Sequence, residues 1–489
     1  MVPWSFVALT SRPLEADLQE DPEPREHAGR VLWALAWPAV ALNSLQVLNT
    51  LLDRFFIGHL PEAAITAHGA STSVMFLLFT LAISVATGTT AVVSRAFGAG
   101  NSAEFRRASR EGLSLAFACG LLVAAVAVLT ARACSSALLP ANDHAAQALM
   151  ARFLTVYASA LPPIFIIQVL AGSLRGIGDT RSSMVISGLQ IFLHMALNCV
   201  LVFPHLGPIP GAGLGMPGAA LALSISAWVS AVVYVVYTRQ TPLQSAWVWR
   251  LPHREWAVRI LKIAAPQALM ALLRISSLGA FQVALKFVPN GSTAIGAMSI
   301  AFAIESIMIM PSFGLAAAAG ALVGQSLGMR RPDRAERLGW TAGAHGALVT
   351  ALLAIPVFFF AGPMASMLLG DKREMIATTV QLLRLLVFTE VGFAYAMILF
   401  GAMQGAGDTA RPTWISLVAL WGVRVPLAYI LALHPHQPLL SLAGHSLGIP
   451  IGLGLGALGA WISMAITQGI QGVMALFVYR QGSWKLKHV

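Results

Sequence analysis

Three carboxylates stand where carboxylates are costly. Of the 20 acidic residues in this chain, Asp53, Glu305 and Glu390 fall well inside long apolar stretches. If those stretches cross a bilayer, an ionised side chain at their centre costs roughly 2.5 to 3.5 kcal/mol on insertion scales, so each acid needs a use. The chemistry open to a carboxyl in such a place is to load and release a proton, or to accept a metal cation.

Asp53 lies in Thr50-Leu-Leu-Asp-Arg-Phe-Phe-Ile-Gly58, on a stretch that also carries Asn43, Gln46 and Asn49. Spacings of three and four bring Asn49 and Gln46 towards the flank of Asp53 on a helix. His194 and Asn198, four apart, share a face further along, and Gln168 is another polar intrusion. These five residues, Asp53, Asn49, Gln168, His194 and Asn198, are the candidate cation-coupling set. The plainer reading of Asp53 is a pair with Arg54 or a helix cap. Glu305 finds its most obvious buried partner in Arg274 and Glu390 in Arg424, so these four are expected to form ion pairs or to line a substrate cavity.

Other chemistry finds no support. The segment ending Gly176-Ile-Gly-Asp-Thr180 has no following Gly-Lys-Ser/Thr and cannot be read as a phosphate loop; its aspartate is better placed as a helix N-cap. Metalloprotease and serine-hydrolase motifs and cysteine clusters are lacking, and Cys119, Cys134 and Cys199 show neither paired nor metal-type spacing. The chain is therefore expected not to be an enzyme and to need no cofactor or metal.

The elements that must position these groups follow from composition. The 489 residues are 57% hydrophobic and only 10% charged, with mean hydropathy +0.74, whereas soluble domains carry about 25% charged residues. A membrane-spanning helix needs about 20 apolar residues. Twelve stretches qualify, near 30–57, 66–94, 111–138, 146–173, 183–204, 215–238, 258–287, 294–326, 338–366, 376–403, 413–433 and 452–479. The fold class is an all-α membrane protein with about twelve transmembrane helices. Residues 1–28, rich in acids, read as a disordered tail without the features of a signal peptide.

Lys and Arg concentrate on one side of the spans, as at Arg95, Arg106, Arg107 and Arg110, or at Arg330, Arg331, Arg334 and Arg337. The other side holds Arg54, Arg132, Arg152, Lys286, Lys372, Arg373 and Arg384. That bias, in a chain of formal charge +11, marks cytoplasmic loops rather than nucleic-acid binding and places both termini inside.

The two halves repeat. Gly172-Ser-Leu-Arg-Gly-Ile-Gly-Asp-Thr180 recurs as Gly401-Ala-Met-Gln-Gly-Ala-Gly-Asp-Thr409, Val93 to Gly98 is echoed by Val323 to Gly328, and Pro38 by Pro266. An even number of spans per half makes this a parallel repeat about an axis along the membrane normal, with the substrate path expected between two bundles. The lobes are residues 29–238 and 258–480, joined by a linker at 239–257 and followed by a tail at 481–489. The position equivalent to Asp53 is Phe281, so the acid belongs to one half alone. Prolines 38, 162, 163, 266, 311, 356 and 426 interrupt the spans and permit bends.

Pro38 through Asp53 to Gly58, the two Gly-x-Gly-Asp-Thr segments, Ala321 to Gly328, Gly218-Ala-Ala-Leu221, Arg424-Val-Pro426 and Gly482-Ser-Trp484 together resemble the multidrug and toxic compound extrusion (MATE) family, in its DinF-like bacterial branch, over residues 30 to 485. The resemblance implies two six-helix lobes around a V-shaped cleft, efflux coupled to inward protons or sodium, and a coupling role for Asp53. Asn198 stands where a second acid is often found, His194 where an asparagine is often found, and Gln168 also replaces an asparagine. One carboxylate with neutral partners suits a proton better than sodium.

The expected function is antiport of cationic or amphipathic compounds against H+, with Na+ the second choice. A lipid or lipid-linked precursor flippase is the alternative; a channel would leave the lobe-specific acid unexplained. The expected partners are small organic molecules and the bilayer, not nucleic acid, with a monomer in the bacterial inner membrane.

Overall fold

A computed structural model describes residues 25–206, 209–247, 251–435, 438–442, 445–448 and 451–487. Within lipid a backbone must satisfy its own polar groups, which favours helices, and helices dominate. The first lobe holds α1 (Arg25–Gly58), α2 (Glu62–Gly98), α3 (Ser102–Leu138), α4 (His144–Ala158), α5 (Leu161–Gly176), α6 (Thr180–Val202) and α7 (Gly215–Thr238). The second holds α8 (Arg254–Lys286), α9 (Gly291–Gly328), α10 (Pro332–Leu369), α11 (Arg373–Gly405), α12 (Ala410–Leu417), α13 (Val425–Ala432) and α14 (Gly456–Arg480). At about 1.5 Å per residue the longest exceed 50 Å and project beyond a 30 Å hydrocarbon layer.

Eleven helices or helix assemblies among the described residues are long and apolar enough to cross a membrane, and the bent pair α4–α5 makes twelve. That pair differs from the single expected span: it turns by 48°, and Pro162 and Pro163 stand in the first turn of α5, where proline is tolerated but cannot extend the preceding helix. Span eleven is also modified, because a π-helical turn over Val418–Arg424 joins α12 to α13. Two short hairpins, β1 (His205–Leu206) with β2 (Ile209–Pro210) and β3 (Pro438–Leu442) with β4 (His445–Gly448), occupy equivalent places in the two lobes.

Of the tail expected at 1–28, residues 1–24 lie outside the described residues, and from Arg25 the chain is already helical. The C-terminal segment is no loose tail. Ser483–Leu486 forms a 3-10 turn that buries Trp484 completely. The Trp484 ring stacks on Tyr479 at 4.7 Å between centroids, and its Nε1 donates to the Tyr479 carbonyl at 2.9 Å.

The lobes exchange the first halves of their first helices. Leu32, Leu35 and Ala36 of α1 belong to a core built from α9, α10 and α11, whereas Trp256, Ile260 and Ile263 of α8 belong to the core of the first lobe. Pro38 and Pro266 lie inside α1 and α8, close after these crossing segments. The lobes therefore interlock at the face where α1 begins and α14 ends, called here the basic face.

The repeat is visible in reciprocal contacts at that face. A Cβ on Gly98 would stand 2.1 Å from the Gln325 carbonyl oxygen, and a Cβ on Gly328 would stand 2.1 Å from that of Arg95. Each contact is the other's counterpart one repeat away, so a pseudo-twofold axis passes between the ends of α2 and α9. Only glycine allows so close an approach.

Candidate functional site

In the first lobe, four of the five candidate coupling residues meet. Asp53, one turn from the end of α1, accepts from Asn198 Nδ2 of α6 at 2.8 Å and from Asn49 Nδ2 at 3.3 Å. The i to i+4 spacing on α1 brings Asn49 to the acid, as the sequence suggested. His194 Nδ1 lies 3.2 Å from Asn49 Oδ1, and its Nε2 lies 3.4 Å from Asn198 Nδ2 and 3.9 Å from Asp53 Oδ1.

These distances fix a consistent proton pattern. With Asn49 offering an oxygen, Nδ1 of His194 carries the hydrogen, and Nε2 keeps its lone pair facing the Asn198 amide and, beyond it, the carboxylate. His194 and Asn198 are buried, while the Asp53 side chain is 26% exposed. The site is thus open to its surroundings at the acid and closed behind it. Oδ1 of Asn198 is buried and without a hydrogen-bond partner.

Gln168 falls elsewhere. It lies on α5, between the α4–α5 break and the basic face, and among the described residues no hydrogen bond joins it to Asp53. The side chain of Arg54, the plainer partner for Asp53, lies outside the described residues. Phe281, at the position equivalent to Asp53, is fully buried and packs on Trp461 with ring centroids 6.1 Å apart. The second lobe fills that place with hydrocarbon.

The second lobe holds its own polar cluster, and here the expected ion pairs are corrected. Neither Arg274 with Glu305 nor Arg424 with Glu390 comes within 4 Å. Instead Gln468 of α14 donates its Nε2 to Glu305 Oε1 at 3.3 Å and to Glu390 Oε2 at 3.1 Å, while its Oε1 accepts from Thr389 at 2.6 Å. Both carboxyls share that one amide, Oε1 of Glu390 is buried without a hydrogen-bond partner, and Arg424 is buried. Arg274 Nη2 points at the Met397 sulfur, 2.8 Å away. The reason is geometric: an amide on α14 reaches both Glu305 of α9 and Glu390 of α11, whereas Arg274 on α8 meets α11 at Met397, two turns along the same face from Glu390 and about 10 Å away. Gln468 was missed in the sequence, although a glutamine within an apolar span is the same signal that marked Gln168.

The Gly-x-Gly-Asp-Thr segments turn the chain at the basic face through Gly178 at φ +93° and Gly407 at φ +87°. Asp179 caps α6 as expected, accepting from Ser182 N at 3.1 Å and from the Tyr237 hydroxyl at 2.6 Å. Asp408 departs from that role: it pairs with the Arg411 guanidinium and reaches the Arg411 amide only at 3.5 Å.

At the basic face, bonds join helices of the two halves of the chain. Gln325 Nε2 of α9 donates to the Gly176 carbonyl of α5 at 2.8 Å. Arg259 of α8 pairs with Glu104 of α3 at 2.8 Å, and Arg95 of α2 donates to the Lys487 carbonyl at 2.6 Å. The C-terminal turn thereby reaches from the second lobe to the first.

The sequence profile described as MatE matches residues 38–200 and 266–430. The chain is 27% identical to the probable multidrug resistance protein NorM of Thermotoga maritima, over 96% of this chain and 95% of that one. It is 25% identical to the probable multidrug resistance protein YoeA of Bacillus subtilis, over 92% and 93%. Among solved structures, a multidrug resistance MATE transporter of the MOP superfamily in its outward-facing conformation superposes with a TM-score of 0.82 at 20% identity, covering 98% of this chain and 100% of that one.

Proposed function

Because the chain belongs to the MatE family of membrane transporters, we propose that it is a secondary active exporter that moves small cationic or amphipathic compounds out of a bacterial cell against inward protons. On this reading the basic face is cytoplasmic, the membrane is the inner membrane, and a monomer is the working unit.

The observation that carries the reading is the cluster around Asp53. One carboxyl is met by N–H donors from two amides and approached by an imidazole nitrogen. A hard metal cation wants several oxygen ligands, and here both oxygens of Asp53 already accept hydrogen bonds. A proton needs only the carboxyl. His194 offers a second seat: a proton on Nε2 turns its 3.9 Å approach to Asp53 Oδ1 into an ion pair, so the pair can pass a proton between carboxylate and ring.

Coupling to transport runs through α1. Its far half carries Asn49 and Asp53 against α6 of the first lobe, and its near half is packed in the core of the second. A change of charge at Asp53 therefore acts on a helix that both lobes share, with Pro38 inside it as the point of bending. Antiport follows if proton and substrate favour opposite arrangements of the lobes.

The test is efflux of a fluorescent organic cation from proteoliposomes with a pH gradient or a sodium gradient imposed alone. Transport is expected under the pH gradient, with loss in Asp53→Asn. Transport that requires sodium would overturn the ion assignment, and transport by Asp53→Asn at the wild-type rate would remove Asp53 from the mechanism.

A further inference from the structure

We propose that the face opposite the basic one carries a binding site for an anionic phospholipid, in a groove between α3, α4 and α7. The groove encloses about 740 Å³ and is lined by Val128, Leu129, Arg132, Arg152, Leu214 and Leu221, among others. Both arginines are exposed, and among the described residues neither guanidinium has an acidic or hydrogen-bond partner.

The location identifies the occupant as lipid. Arg132 lies six residues before the end of α3 and Arg152 eight residues after the start of α4, roughly 9 and 12 Å along their helices. Side chains at that depth reach the headgroup layer while their stems lie along hydrocarbon. Val128 is 45% exposed and Leu129 82%, and both lie about one turn deeper on α3 than Arg132, so the wall beneath that arginine presents apolar surface at the depth of acyl chains.

Charge identifies the headgroup. Basic residues are scarce on this side of the chain, and two of them share one groove. Two guanidiniums match phosphate oxygens in fork geometry and leave the groove with a net charge of +2, which repels the ammonium of a zwitterionic headgroup and favours a lipid with net negative charge. The site is independent of which ion drives transport, since none of its residues belongs to the Asp53 cluster.

The test is native mass spectrometry of the detergent-purified full chain titrated with palmitoyl-oleoyl phosphatidylglycerol or phosphatidylcholine. Wild type is expected to retain phosphatidylglycerol at about tenfold lower concentration than phosphatidylcholine, the discrimination supplied by about 1.4 kcal/mol. R132Q/R152Q is expected to lose the preference, and K372Q/R373Q, which neutralises two other basic residues on the same side, to keep it. Should the double variant not purify, R132Q and R152Q alone are each expected to lower the preference about threefold. Equal retention of the two lipids by wild type, an unchanged preference in the Arg132 and Arg152 variants, or displacement of the lipid by inorganic phosphate at the same concentration would each overturn the proposal.

Discussion

Asn198 Nδ2 and Asp53 Oδ1 stand 2.8 Å apart, joining α6 to α1 across 145 positions of sequence. This is the shortest bond to the acid and the one that crosses between helices, so it holds α1 in place when the carboxylate is charged. Hydrogen bonds to charged groups contribute about 1.5 to 3 kcal/mol. Asn198→Ala is therefore expected to lower kcat/KM for pH-driven efflux at least about tenfold while leaving expression intact. Unchanged kinetics would show that Asn49 alone positions the acid.

The equivalent site in the second lobe is closed to such chemistry. Phe281→Asp would bury a carboxyl against Trp461 without the donors that Asp53 enjoys, a change of the kind that destabilises by more than about 3 kcal/mol. A strongly lowered thermal midpoint in detergent is expected, with no second coupled ion. A variant of wild-type stability would mean that this side of the lobe admits water.

Gln468 is the single amide bridging Glu305 and Glu390. Gln468→Leu leaves two buried carboxyls without that donor, and each buried group left unsatisfied costs about 1 to 3 kcal/mol. The thermal midpoint should fall clearly. Glu305→Gln keeps the shape and keeps an acceptor for the Gln468 amide, and should be tolerated better than Gln468→Leu; the reverse order of stabilities would contradict the bridging role.

At the basic face, size and charge should weigh differently. Glu104 and Arg259 are each about one-third exposed, and exposed pairs contribute about 0.2 to 1 kcal/mol, so Glu104→Ala should retain most transport. Gly98→Val instead places a side chain against the backbone of α9. It should push the lobes apart, lengthening the distance between spin labels at Arg106 and Arg337 and abolishing efflux. Equal effects of the two substitutions would contradict this division.

Much of this organisation was legible in the sequence because it is written in short-range or strictly periodic signals. Apolar length gave the spans, the Gly-x-Gly-Asp-Thr pair gave the repeat, and spacings of four joined Asn49 to Asp53 and His194 to Asn198. What could not be read depends on distance between helices. Gln168 obeys the same polar-in-apolar rule as Asn198 but among the described residues makes no hydrogen bond to Asp53, and nothing in its neighbours separates the two cases. Arg274 and Glu305 are complementary in charge, yet the guanidinium lies against Met397, two helical turns along α11 from Glu390. The exchange of helix halves at Pro38 and Pro266 is likewise a property of packing, since Leu32 and Ile260 would be equally apolar in either lobe.

The most direct measurement is of protons released when substrate binds to the purified exporter in weakly buffered detergent solution. If Asp53 exchanges a proton for substrate, wild type acidifies the solution on addition of an organic cation, and Asp53→Asn binds the same compound with no release. Proton release of undiminished amplitude from Asp53→Asn would contradict the central role given to that carboxyl.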